Sequence, residues 1–244
     1  MSDMAEAGTS STVPTDRDTV FFRNYAWVIL GFVVIAFGGK AVFDTADLPP
    51  ITLLHHFHAV SMLTWFVLFA VQASLIDQGN TRLHGTLGRL SIFVVATLLV
   101  FAVMIAQLNW ARVGGPLVIT SNFVNSLLFV GFYVGGALLR QRTQTHRRLM
   151  LFATLSYLGP ASGRIPEILD ASVFLGLPIM LAFVFTPLVY EGVFKRKVHP
   201  ATLIATGLII IAIPVQIILS GLPAWVSVME AVLGPGGVSA YANP

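Results

Sequence analysis

Seven stretches of this chain run for eighteen residues or more with almost no charge: 25–43, 51–76, 87–108, 117–139, 149–169, 173–190 and 201–222. A helix rising 1.5 Å per residue needs about 20 apolar residues to cross a hydrocarbon core of about 30 Å, and each run meets or approaches that length. The runs are continuous rather than alternating in polarity, which excludes a transmembrane β-barrel. Short connections hold the turn residues and charges: DTADLPP, DQGNTRLHG, NWARVGG, RQRTQTHRR and FKRKVHP. The expected fold is therefore all-α, a polytopic integral membrane protein built as a seven-transmembrane-helix bundle.

Charge distribution predicts the orientation. Only 10% of the 244 residues are charged and 56% are hydrophobic, too few charges to cover a soluble surface of this size, so a lipid bilayer is the expected solvent. If the runs alternate from an N-terminus inside, only Lys40, Arg112 and Arg164 of the 14 Lys and Arg residues fall outside. Basic residues are retained on the cytosolic side during insertion, so the expectation is N-terminus inside and C-terminus outside. The basic residues lie in short loops with no interleaved aromatic stripe, which argues against a nucleic-acid partner. Residues 1–20 read as a disordered cytosolic tail, 21–222 as the seven-span domain, and 223–244 as a short outer segment in which 224–233 forms an interfacial helix. The expected location is a bacterial inner membrane, crossed many times.

Ionisable residues inside a span are costly enough to be candidates for function. An outer group begins on the second run, where His55, His58, Trp65 and Gln72 share one helical face. Asn122 and Asn125 lie at a similar depth on the fourth run. The fifth run leaves through LGPASGRIPEIL, where Gly159, Pro160 and Pro166 interrupt the helix around Arg164, within reach of Glu167 at i+3. A broken span beside buried polar groups points to a small-molecule site built from His55, His58, Trp65, Asn122, Asn125, Tyr157 and Arg164. The same Asn and His residues would equally serve as interhelical glue, with Arg164 reaching for headgroups.

An inner group lies at the opposite face. His84 opens the third run and His146 the fifth, on one side of the membrane, with Gln72 near them. Two histidines from non-adjacent spans ringed by arginines suit a haem b with two axial imidazoles, with Arg89 and Arg147 as propionate partners. Juxtamembrane His and Arg are also ordinary positive-inside residues.

Here the chain resembles an uncharacterised group of bacterial multi-span membrane proteins with H-x-x-x-G-R and H-R-R-x-M elements. The first reads His84-Gly85-Thr86-Leu87-Gly88-Arg89 and the second His146-Arg147-Arg148-Leu149-Met150. The resemblance covers roughly residues 50–165; Gly85 and Leu149 depart from the basic and aromatic residues expected there. It implies a fold and little about activity. A looser similarity is to transmembrane b-type cytochromes, in which histidines two spans apart clamp each haem. His84 and His146 match one clamp, and the fourth run offers no histidine to pair with His58, so the similarity implies one haem at most.

Other chemistries are excluded or poorly supported. There is no cysteine, hence no disulfide or thiolate ligand. A zinc site on His55 and His58 needs further ligands, and the chain has no HxxxH or HExxH pair. No GxSxG, Walker loop or dinucleotide fingerprint occurs. The last run contains no lysine for a retinal Schiff base.

Overall fold

In the computed structural model, residues 16–43, 52–113, 115–234 and 236 are described, and among them all regular structure is helical. The long elements are α1 (Arg17–Phe43), α2 (Leu53–Asp77), α3 (Thr81–Val113) and α4 (Pro116–Leu138). After them come α5 (Thr143–Ser156), α6 (Gly159–Ile168), α7 (Gly176–Tyr190), a π-helical turn (Glu191–Lys195), α8 (Pro200–Ser220) and α9 (Pro223–Leu233). Large apolar side chains cover the outside of the bundle, among them Trp27, Phe93 and Leu138 at 49%, 69% and 74% exposure. A helix apolar all round needs lipid or protein on every side, and the chain is accordingly a helical membrane protein.

The number of full-length spans differs from the expectation. Among the described residues six helices, not seven, are long and apolar enough to cross a bilayer alone. The fifth run, 149–169, is instead divided between α5 and α6. Pro160 has no N–H to return to the preceding turn, and the Tyr157 and Leu158 amides fall back on tight i−3 bonds to Thr154 and Leu155. A continuous helical face from His146 through Tyr157 to Arg164 is therefore interrupted at Tyr157–Leu158.

Ion pairs mark both ends of this broken element. Arg147, at the start of α5, binds Asp18 in the first turn of α1. Glu167, at the end of α6, lies 3.2 Å from Lys40 in the last turn of α1. The α5–α6 pair thus runs parallel to α1, from Asp18 to Lys40, about 33 Å at helical rise.

The N-terminal boundary also moves. α1 begins at Arg17, so residues 17–20 of the expected tail are helical, held by Asp18, whose carboxylate is gripped by Arg147 and Lys195 and receives the Tyr190 hydroxyl at 3.1 Å. Residues 1–15 and 237–244 of the expected terminal segments lie outside the described residues. α9 occupies the expected short helix, with the Trp225 indole N–H donating to Thr120 on α4 (2.8 Å) and the Trp110 indole to the Gly234 carbonyl (2.8 Å).

Local chemistry sets the other boundaries. Thr52 and His55 cap α2 reciprocally, the His55 Nδ1 accepting from the Thr52 amide at 3.2 Å. Gly79, at φ +72°, makes the turn into α3, and the Asn80 side chain caps the Leu83 amide. Proline opens α4, α8 and α9, where its missing donor is harmless. The π turn after α7 stops at Arg196, whose φ of +52° is left-handed. The core gathers around Phe129, Phe152, Leu151, Leu155 and Leu158, all under 2% exposed.

Candidate functional site

His84 and His146 meet at one end of the bundle. Their ring centroids are 6.2 Å apart and their planes 84° apart. His84 Nδ1 lies 3.3 Å from the Gln72 carbonyl on α2, and His146 Nδ1 lies 2.8 Å from the Gly136 carbonyl on α4. A carbonyl only accepts, so both Nδ1 atoms carry a proton, which in the neutral tautomer leaves Nε2 its lone pair. Gln72 closes the arrangement by donating from Nε2 to the His84 carbonyl at 3.1 Å.

The local sequence makes this meeting feasible. α4 and α5 approach closely because position 136 is glycine: a β-carbon there would sit 2.9 Å from Met150 Cε and 3.3 Å from Leu149 Cβ. Gly85, beside His84, faces open space, where an added β-carbon would meet nothing within 4 Å.

This geometry fits a metal-centred group. An ion about 2.0–2.1 Å from one ring nitrogen on each side separates two imidazole centroids by about 6 Å. Metal-bound histidines characteristically donate their other ring N–H to a backbone carbonyl or carboxylate, which orients the ring and fixes the tautomer. Among the described residues no group of three or more His, Asp or Glu converges, so a bare ion in a full amino-acid ligand set has no match here.

The two arginines expected beside this pair behave differently. Arg89 is exposed on α3, five residues after His84. Arg147 turns away to α1, bonding Asp18 and Gln144 and stacking over Phe22 with its guanidinium carbon 4.8 Å from the ring centre.

The outer candidates are only partly brought together. His58 lies within electrostatic range of His55 and Arg164. Arg164, however, donates to the Pro160 carbonyl at 2.9 Å and lies 4.1 Å over the Phe37 ring, while the carboxylate of Glu167 pairs with Lys40. Tyr157 donates to Ser126 at 2.8 Å, and Asn125 accepts from Gln216 on α8 at 3.1 Å. Trp65 is 3% exposed between Phe129 and Tyr133. Its indole N–H and the His58 Nδ1 are buried and, among the described residues, have no hydrogen-bond partner. Asn122 is half-buried on α4. His55 serves as a helix cap.

Sequence reasoning missed a buried ion pair beside the inner site. Arg148 and Glu191 side chains are 2% and 1% exposed, with Nη2 to Oε1 at 2.5 Å and Nε to Oε1 at 2.6 Å. Arg148 also bonds the Gln144 carbonyl and the Thr202 hydroxyl, and the second Glu191 oxygen accepts the His199 amide at 2.7 Å. The available signal was a glutamate at the end of an apolar run, opposite an arginine-rich opening of another.

No protein-family model, curated protein or solved structure matches this chain, so the reading of the site rests on its own geometry.

Proposed function

We propose that this protein carries one b-type haem between His84 and His146 and acts as a redox or haem-carrying protein of the membrane. The observation that carries the reading is the paired imidazoles, 6.2 Å apart with each Nδ1 tied to a backbone carbonyl. His84 and His146 would hold the group, and Arg89, exposed five residues further along α3, would be the propionate partner; the bond from Arg147 to Asp18 weighs against a second one there. The bound group would supply one-electron chemistry, with its potential tuned by the two imidazoles and their carbonyl partners. The chain's own residues hold the rings, through the Gln72 and Gly136 carbonyls.

The same reading takes the chain across a bacterial inner membrane seven times, N-terminus inside and C-terminus outside, with α5 and α6 as one broken crossing. The ion pairs at both ends of α1 support that crossing, and the positive-inside bias supports the orientation. It also takes the chain as a relative of the uncharacterised bacterial group with the His84 and His146 elements.

The test is the absorption spectrum of detergent-purified protein expressed with ample haem, oxidised and then reduced with dithionite. A Soret band that shifts on reduction, with sharp α and β bands, is expected, and His84→Ala and His146→Ala should each abolish it. A featureless spectrum sinks the reading.

A second reading, a small-molecule binding or transport site, draws on the orphaned His58 Nδ1 and Trp65 N–H. An indole only donates, so its occupant is a hydrogen-bond acceptor. Under this reading Trp65→Phe releases a co-purified compound, seen by mass spectrometry, without lowering thermal stability. An unchanged extract rejects it.

A further inference from the structure

Two adjoining cavities lie where the first turns of α1 meet the end of α7. One, of about 600 Å³, is an open apolar groove along α7 lined by Ala182, Phe185, Thr186 and Val189 and bordered by Phe21, Tyr190 and Phe194. The other, of about 510 Å³, shares those three aromatic residues and adds the charged side chains of Asp16, Arg17, Asp18 and Lys195. α1 and α7 touch through the Phe21–Tyr190 stack, with centroids 3.7 Å apart, and deeper through the bond from Tyr25 to the Phe183 carbonyl at 2.6 Å. The groove wall from Ala182 to Phe194 is about 18 Å long, close to half of the roughly 30 Å hydrocarbon core.

We propose that this pair of cavities binds one anionic phospholipid, an acyl chain in the groove and the phosphate against Arg17 and Lys195. Charge complementarity chooses the head group. Within the lining Arg17 and Lys195 balance Asp16 and Asp18, and Arg147, pairing with both aspartates from outside it, turns the local sum positive, with the Asp18 carboxylate also held by Lys195 and Tyr190. Arg196 and Lys197 follow directly on an exposed left-handed turn, so the rim carries further positive charge. Exposed Val189 and Phe194, at 57% and 74%, supply apolar surface for the chain. The site depends on the protein spanning a membrane and is independent of any haem.

Native mass spectrometry and thermal unfolding of the purified full chain test it, with phosphatidylglycerol, phosphatidylcholine and inorganic phosphate as probes. One phosphatidylglycerol per chain is expected to be retained, bound about tenfold more tightly than phosphatidylcholine. Arg17→Gln should cut that preference about fivefold, the size of one basic residue's attraction to an anionic surface. Val189→Trp, which fills the groove, should remove both lipids; Phe194→Ala, on the exposed rim, serves if that variant does not fold. Equal retention of the two lipids, an unchanged preference in Arg17→Gln, or no retained lipid overturns the proposal. Stabilisation by inorganic phosphate equal to that by phosphatidylglycerol also overturns it, because the groove would then play no part.

Discussion

Removing the Glu191 carboxylate tests the inner end of the bundle most directly. Arg148 is buried, and two of its nitrogens rest on one Glu191 oxygen, while the other oxygen holds the His199 amide. Breaking a buried pair from one side strands an uncompensated charge and typically costs about 3–5 kcal/mol. Bonds from Arg148 to the Gln144 carbonyl and Thr202 survive, which places Glu191→Ala at the lower end, about 3 kcal/mol. For a chain of this length that is a fall in Tm of about 6–12 °C. Replacing both partners, Arg148→Met with Glu191→Leu, removes the stranded charge and should return stability to within about 1 kcal/mol of the parent. Thermal and SDS-induced unfolding in detergent measure all three proteins. A Glu191→Ala loss below about 1 kcal/mol, or a double variant no better than the single one, refutes the reasoning.

Three further outcomes follow from the packing. Gly176→Ala places a β-carbon 3.1 Å from the Gly163 Cα, backbone that cannot swing aside, so a loss of about 1–3 kcal/mol is expected in the same unfolding assay. Trp225→Phe deletes the indole bond to Thr120 and should loosen α9 by about 1 kcal/mol, read as faster hydrogen exchange confined to α9. His199 caps α8 by accepting the Ala201 amide on Nδ1, and its pKa lies below the ordinary value because of burial first and the Arg148 charge second, with Glu191 opposing and Lys195 and Arg147 adding. The unfolded chain therefore takes up this proton more readily, so the contribution is complete above about pH 6.5 and is lost as pH falls from there through the lower folded-state value. His199→Asn, which caps without titrating, should flatten that part of the stability–pH curve.

The spans were legible because a bilayer imposes length and apolarity on each element separately, and 51–76 or 201–222 satisfies both without reference to the rest of the chain. The break near Gly159 and Pro160 was legible for the same local reason. What could not be read was whether the two halves would remain one helix. The start of α1 was hidden by a different cause. Arg17 and Asp18 look like tail, and what holds that first turn helical is the grip on Asp18 of Arg147 and Lys195, 129 and 177 residues away in sequence. Polar faces misled in the outer half: Arg164 and Glu167 have the spacing of a helical pair, yet one stacks on Phe37 and the other reaches Lys40.

The His146-Arg147-Arg148 run shows where pattern ends and packing begins. Successive helical residues are about 100° apart, so these three side chains leave α5 toward different neighbours. His146 meets the Gly136 carbonyl on α4 and the His84 ring, Arg147 binds Asp18 on α1, and Arg148 binds Glu191 beside α8. Two ion pairs thus anchor α5 on either side of a histidine whose own bond is a single 2.8 Å contact. If that anchoring sets the imidazole position, Glu191→Ala should lower haem retention together with stability. The double variant, Arg148→Met with Glu191→Leu, should restore both by filling the same space. Soret absorbance per chain, followed beside the unfolding midpoint, separates the two effects. A double variant that is stable yet colourless would show that charge, rather than packing, holds His146 in place.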